Sequence, residues 1–349
     1  MRRFGFISIA ICTFLLTLWV TCLGIRRLTP FPAIPQVRDK LAAYGATGRE
    51  IDTLFFGSSR VYSGIIPQLF DEIARQHGVP SSSYNLGIDG MTFPESEYYC
   101  EKALACWPGR VRWVLIEITR VSTNMPEPIR GTRRAAYWHD FPRTMIVARS
   151  IFSRTEGGLV ADERGRRLLW EDVGQFFERL SNLGQGADLL QSSIFPPRPP
   201  TGRDAFDPNL RGYYPIQNSM KSKSREAYQQ SLIGANWKNR PQSDPATEEA
   251  LRDFHRRLAK NGMTAIFMVT PSAVPMPRLF GEGRSKEDAP EVLSFDDPEA
   301  YPELFRPDLR GDAGHLNDAG ARRFTTLISE RIAELKMRRT MPSSSAQSS

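Results

Sequence analysis

Residues 51–56 read IDTLFF, residues 112–118 read RWVLIEI and residues 264–269 read TAIFMV. Each is a short apolar run, followed by Gly57 in the first case and closed by Pro271 in the last, which is typical of a strand buried on both faces. Buried strands that alternate with helices imply a parallel sheet covered on both sides. We therefore expect an α/β fold, a three-layer sandwich with a central parallel sheet.

Helices are predicted between and after these strands, and one more short strand is expected at residues 82–85. The helix after Asp244 is marked most clearly, because Asp244 suits the N-cap, Pro245 suits the first helical position and Gly262 suits the end. The predicted helices cover residues 67–77, 95–105, 245–260 and 317–336.

The alternation of strands and helices fails over residues 120–243, which are rich in Pro, Gly and aromatic residues. This stretch is too long for a plain connection, so we expect an insertion with its own structure. Between Arg120 and Arg240 there are 19 Lys and Arg against 12 Asp and Glu, and 19 − 12 = +7 equals the net charge of the whole chain. The bland interpretation of this charge is a solvated face near anionic lipid headgroups.

The composition excludes several classes of protein. The chain of 349 residues is 40% apolar, which excludes a wholly disordered protein. No repeat of 20 to 50 residues is found, and no Lys/Arg block with interleaved aromatics indicates a nucleic-acid groove. We expect no nucleic-acid partner.

The N-terminal segment is predicted to be a membrane anchor. Residues 4–24 read FGFISIAICTFLLTLWVTCLG, an uncharged run long enough to span a bilayer as a helix. Arginines flank it on both sides and do not set its orientation, and no clean cleavage site follows it. We expect a cytoplasmic stub and anchor over residues 1–27, a linker over 28–50, a soluble domain over 51–336 and a disordered tail over 337–349.

Side chains with the chemistry for nucleophilic catalysis occur in loops where parallel strands end or a helix begins. Gly57-Ser58-Ser59 follows the first strand, Asn85–Gly90 follows the second, and Asp312–Asn317 precedes the last helix. Reactive residues gather at the carboxyl ends of the strands in open parallel sheets. A serine, a histidine and an aspartate in such loops are the parts of a nucleophile, a base and its orienting acid.

The chain offers only four histidines as the base. His77 ends a predicted helix and His255 lies within one, so both are expected to be structural or solvated. His139 belongs to the insertion, beside Tyr137 and Trp138, and these three residues are expected to bind substrate. His315 is left as the base, with Asp312 three positions before it to orient the imidazole or, in the alternative, to cap the helix.

The order and spacing of these blocks resemble the SGNH/GDSL hydrolase superfamily, in the membrane-anchored branch similar to cell-wall and exopolysaccharide O-acylation proteins. The resemblance implies an SGNH/flavodoxin-like sandwich with Ser59 as nucleophile and Asp312 and His315 as the other two triad members. It also implies an oxyanion hole formed by Ser59, Gly90 and an asparagine after the third strand. The third block departs from the family pattern, because Thr119 follows that strand and Asn124 comes a few residues late.

The resemblance implies a serine esterase or O-acyltransferase that acts on acyl esters of cell-envelope or extracellular glycans. We expect a single-pass protein of the cell membrane with its catalytic domain on the periplasmic side and a membrane-bound partner for acyl transfer. No metal or other cofactor is expected, because no motif for either is found. The alternative is an inactive protein of the same fold that binds a glycan or an assembly partner, which the altered third block favours.

Overall fold

The computed structural model describes residues 2–28, 35–119, 129, 132–153, 163–181, 194, 207–280 and 290–340. The chain divides into two compact units. We call residues 1–38 and 123–204 the helical unit, and residues 39–122 and 205–349 the sheet unit. The helices are α1 Arg2–Leu28, α2 Pro35–Thr47, α3 Ser59–Tyr62, α4 Pro67–Gln76, α5 Phe93–Cys106, α6 Arg133–Trp138, α7 Phe141–Ser153, α8 Glu163–Ser181, α9 Ser222–Gly234, α10 Pro245–Lys260 and α11 Asp318–Thr340.

The sheet unit is built on five parallel strands. These are β1 Thr53–Phe56, β2 Ser83–Asn85, β3 Trp113–Glu117, β4 Thr264–Val269 and β5 Glu291–Ser294, in the order β2-β1-β3-β4-β5. Every neighbouring pair is parallel. This is one of the doubly wound strand orders, in which ligand sites form at the carboxyl edge of the sheet.

Helices cover both faces of the sheet. On one face, Phe70 of α4 and Phe324 of α11 pack with Phe55 and Met268 of the strands. On the other face, Phe93 of α5 contacts Phe254 of α10 and Phe267 of β4. Successive residues of a strand point to opposite faces, which is why Phe267 and Met268 meet different helices. The predicted three-layer α/β sandwich with a central parallel sheet is confirmed.

The helix α10 begins where the sequence predicts, at its N-cap aspartate and first-turn proline. The Asp244 carboxylate accepts a hydrogen bond from the Thr247 amide at 2.8 Å, and Pro245 occupies the first turn of α10. The predicted boundaries of the other helices agree within a few residues, and α11 continues to Thr340. Residues 341–349 of the predicted tail lie outside the described residues.

The structure corrects two predicted boundaries. Residues 35–47, expected as part of a linker, form α2 and bury Val37, Lys40 and Tyr44. The linker prediction is wrong here because Pro residues nearby suggested a loop, and because a buried lysine hides the apolar face of the helix. The insertion is also shorter than 120–243, since residues 205–243, which include α9, belong to the sheet unit.

The helical unit contains α1, α6, α7 and α8. Within α1, residues 5–25 are long and apolar enough to cross a membrane. The Cys22 thiol of α1 donates a hydrogen bond to the Ser181 carbonyl at the end of α8, at 2.6 Å. This contact attaches the last turns of α1 to the inserted helices of the same unit.

Candidate active site

The turn after β1 holds two serines in different roles. The Ser58 amide donates to the Glu117 carboxylate at 2.6 Å, and the Ser58 hydroxyl accepts from the Arg60 amide at 3.2 Å as the N-cap of α3. Gly57 fits where a side chain would not, because an added Cβ would lie 2.5 Å from Cβ of Glu117 and from a methyl carbon of Val61. Ser58 is thus engaged with its own turn, while Ser59 begins α3.

Two segments far apart in sequence bring three side chains together at this turn. The Ser59 Oγ lies 2.6 Å from Nε2 of His315, although 256 positions separate the two residues. The other imidazole nitrogen, Nδ1, lies 2.8 and 2.9 Å from the two carboxylate oxygens of Asp312. The structure therefore brings together Ser59, His315 and Asp312, as the sequence predicts.

The Asp312 carboxylate fixes the tautomer of His315. A carboxylate only accepts hydrogen bonds, so Nδ1 carries the proton that it donates to Asp312 and Nε2 is left to accept from the Ser59 hydroxyl. Burial would raise the pKa of Asp312, but the hydrogen bond and charge of His315 and the amides of Gly314 and His315 lower that pKa to about 2. Asp312 is therefore ionised at neutral pH.

A buried arginine supports the turn that carries Asp312 and His315. The Arg310 guanidinium donates to the carbonyls of Leu304 at 3.0 Å, Ala313 at 3.1 Å and Asp312 at 3.4 Å. It is fully buried and lies over the Tyr228 ring. Three carbonyl contacts from one rigid guanidinium fix the path of this turn.

The loop after β2 follows a residue that is hydrogen-bonded to α3 and to the segment just after it. The Asn85 side chain donates to the carbonyls of Val61 and Ile65, each at 2.8 Å, and accepts from the Gly87 amide at 2.9 Å. Gly90, further along the loop, has φ of 68°, in the left-handed region that favours glycine. Among the described residues, no backbone hydrogen bond outside the helices and strands is donated by the amide of Ser59 or of Gly90.

A buried lysine lies between the two loops. Nζ of Lys40, on α2, donates to the Gly87 carbonyl at 2.5 Å and lies 3.6 Å from the centre of the Tyr62 ring of α3. Burial lowers the pKa of Lys40 well below its usual value, and the charge of Asp89 opposes this shift. Lys40 therefore links α2, α3 and the loop that contains Gly90.

Glu117 is the last residue of β3, and its side chain contacts the turn after β1 that contains Ser58 and Ser59. Besides the Ser58 amide, it accepts a hydrogen bond from the Thr270 hydroxyl at 2.5 Å and lies 3.6 Å from the Arg60 guanidinium. Its side chain is completely buried. A single carboxylate thus joins the ends of β3 and β4 to the turn that presents Ser59.

The predicted substrate-binding residues make contacts within the helical unit. Tyr137, Trp138 and His139 are buried in the helical unit, where the His139 Nε2 pairs with Asp172 at 2.7 Å and its ring stacks on Trp138. These contacts are structural, and substrate binding by the three residues stays a prediction. Asn124 lies outside the described residues, and the Thr119 hydroxyl accepts from the Phe93 amide at 2.9 Å.

Sequence reasoning missed the three buried charged residues that support the site. Glu117 had a usable signal, since it is the one charged residue within the apolar run 113–118. Lys40 and Arg310 had none, because their carbonyl partners are assembled only by the fold.

The described residues contain no group of three or more His, Cys, Asp or Glu side chains that could hold a metal ion. Neither a scan against protein-family models nor a search of curated proteins finds a match for this chain.

Proposed function

We propose that this protein is a membrane-anchored serine esterase or O-acyltransferase of the SGNH/GDSL type. The observation that carries the proposal is the continuous hydrogen-bonded chain from the Ser59 hydroxyl through His315 to Asp312. A serine hydroxyl is a weak nucleophile until a neighbouring base takes its proton, and this arrangement supplies that base in the correct tautomer. The resemblance of the sequence blocks to the superfamily supports the same reaction class.

In the proposed mechanism, the Ser59 Oγ attacks the carbonyl carbon of an acyl ester while His315 Nε2 takes the hydroxyl proton. Asp312 stabilises the imidazolium that forms, and the amides of Ser59 and Gly90 hold the negative charge on the carbonyl oxygen. Collapse of the tetrahedral intermediate breaks the ester bond, and His315 returns the proton to the departing alkoxide. Water gives hydrolysis of the acyl-serine, and a sugar hydroxyl gives acyl transfer.

The proposed substrate class is based on the surplus positive charge of residues 120–240 and on the N-terminal anchor. An ester of a glycan in the cell envelope is within reach of a protein held at the membrane, and the surplus positive charge of residues 120–240 favours an anionic or sugar-like substrate. We place the sheet unit on the periplasmic side, where such glycans are found. A membrane-bound acyl-transfer partner belongs to the same proposal.

Active-site labelling tests the proposal. The full-length protein in detergent or nanodiscs is incubated with a serine-reactive phosphonate, and the adduct is located by peptide mass spectrometry. We expect the adduct on Ser59, complete loss of labelling in Ser59→Ala, and slower labelling in the matched control Ser58→Ala. An adduct on Ser58 would contradict the assignment of the nucleophile.

A glycan-binding or assembly protein of the same fold is the second candidate. The observation that favours it is the third block, where the Thr119 hydroxyl accepts from the Phe93 amide and the two described residues directly after β3, Ile118 and Thr119, include no asparagine. Loss of one oxyanion donor costs about 10²–10³ in rate, which weakens an enzyme without abolishing catalysis. Failure of several phosphonates and activated esters to label a folded protein, together with glycan binding, would favour this candidate.

A further inference from the structure

The helical unit carries large apolar side chains on its surface and polar ones in its interior. On α8, the Trp170 side chain is 75% exposed and that of Phe177 is 59% exposed. The same unit buries the His139 imidazole, whose Nε2 lies 2.7 Å from the Asp172 carboxylate. Soluble proteins scatter single apolar residues over their surfaces, but a contiguous apolar patch marks an interaction surface.

The exposed apolar residues form one continuous face across two helices. On α7, Phe141, Met145 and Phe152 are exposed, and their spacing of four and seven residues places them on one side of the helix. On α8, Trp170 and Phe177 are seven residues apart and share a side in the same way. Phe141 contacts Phe176, which in turn contacts Phe177, so the two stripes adjoin.

This face is continuous with the helix that is able to span a membrane. Ser181, at the end of α8, accepts the hydrogen bond of Cys22 in the last turns of α1, while the rest of the apolar stretch of α1 is exposed. Phe177 and Leu180, which are both exposed, lie within the last turn and a half of α8, next to that contact. A bilayer that surrounds α1 therefore meets the apolar end of α8.

The charged residues on the same face limit how deeply it enters the bilayer. Arg166 and Arg167 precede Trp170 by one turn and are exposed, as is Arg149 between Met145 and Phe152 on α7. Long arginine side chains bury their stems among apolar groups and keep the guanidinium in the headgroup region. Tryptophan is enriched at the same depth, so the face suits the boundary between headgroups and acyl chains.

We propose that the α7–α8 face lies against the lipid of the same bilayer that α1 spans, as an interfacial surface with Trp170 and Phe177 at the boundary between headgroups and acyl chains. The partner is the lipid surface itself. The proposal rests on α1 crossing the membrane and is independent of the proposed esterase activity.

Photocrosslinking in bilayers tests this proposal. The photoreactive amino acid benzoylphenylalanine replaces Trp170 or Phe177 in the full-length protein, which is placed in nanodiscs of equal parts phosphatidylethanolamine and phosphatidylglycerol. Phe14, an exposed residue of α1, is the positive control, and Ile233 of α9, which is 77% exposed, is the matched control. Thermal unfolding confirms that each variant is folded, and the two test positions serve as independent replicates.

We expect irradiation to raise the mass of the Trp170 and Phe177 variants by that of one lipid, with yields comparable to the Phe14 variant and well above the Ile233 variant. Crosslinking of Trp170 and Phe177 to a second protein copy would overturn the proposal in favour of a protein interface. Absence of lipid adducts at both positions while Phe14 forms them, or equal labelling at Ile233, would overturn it as well.

Discussion

At the scale of single residues, Glu117 stabilises the turn that carries Ser58 and Ser59. Its carboxylate accepts from the Ser58 amide and the Thr270 hydroxyl in a fully buried position. Glu117→Gln replaces one of these acceptor oxygens by an amide NH₂, so one buried donor loses its partner at a cost of about 1–3 kcal/mol. We expect a lower melting temperature and slower phosphonate labelling of Ser59. Glu101→Gln, at an exposed carboxylate, is the control and should change neither quantity.

Replacement of Asp312 tests whether its carboxylate sets the tautomer of the His315 imidazole. In Asp312→Asn the side chain can donate to Nδ1, which favours the tautomer with its proton on Nε2, and that tautomer cannot accept from Ser59. We expect a loss of about 10⁴ in the rate of ester cleavage without loss of folding. Asp308→Asn, at an exposed carboxylate paired with Arg306, should leave the rate unchanged. A loss below about tenfold in Asp312→Asn would remove Asp312 from the triad.

Lys40 gives the protein a measurable pH dependence. Because burial lowers its pKa in the folded protein, the unfolded chain binds more protons than the native one at pH values between the folded and unfolded pKa. Stability therefore rises with pH through this window, up to the usual lysine value near 10.5. We expect the melting temperature of the wild type, relative to Lys40→Met, to increase from neutral pH toward pH 10.5. A difference that stays constant with pH would contradict a lowered pKa of Lys40 in the folded protein.

At the scale of elements, the loop after β2 is packed against α3 with no room for a methyl group. A Cβ on Gly87 would lie 2.6 Å from the Tyr62 amide nitrogen, a backbone atom that moves only if α3 moves. We expect Gly87→Ala to destabilise the protein by about 1–3 kcal/mol and to slow labelling of Ser59. Gly45→Ala is the matched control, because a Cβ at Gly45 in α2 meets no atom within 4 Å. This change should stabilise α2 by up to about 1 kcal/mol.

The elements that the sequence predicts correctly are those with strong local patterns. β1, β3 and β4 are continuous apolar runs, and α10 has both its N-cap aspartate and its proline. β5 went unpredicted because Glu291–Ser294 is a short edge strand with two half-buried residues and one exposed, so its pattern is too weak. Similarly, α2 has no clear apolar face, since it buries Gln36 and Lys40 beside Val37 and Tyr44.

The sequence predicts the central residues of the candidate site but not the buried charged residues that stabilise it. Ser59 follows the predicted strand β1, and the resemblance of the sequence blocks implies that Asp312 and His315 join it, so their meeting could be expected. Arg310 donates to carbonyl groups, which every residue has, and no sequence pattern marks such partners.

At the scale of the whole molecule, the anchor prediction means that α1 remains part of the protein and is not cleaved as a signal peptide. Removal of α1 would uncover the part of α8 that Cys22 covers, so retention of the helix fits the packing of the helical unit. We expect the protein to remain in the membrane fraction after an alkaline carbonate wash and its intact mass to include α1. Recovery of a soluble form that begins after residue 28 would show that α1 is a cleaved signal.

The hydrogen bond between Ser59 and His315 spans 256 positions, and strands β2 to β5 lie between the two residues in the sequence. The ribosome therefore synthesises Ser59 long before His315, and during that interval the Ser59 hydroxyl has no histidine to take its proton. Contacts of such long sequence separation also form late and slowly in folding. As a result, a nascent chain or one cut ahead of Asp312 lacks both the acid and the base, and the proposed esterase activity would report that the loop of Asp312 and His315 has joined Ser59.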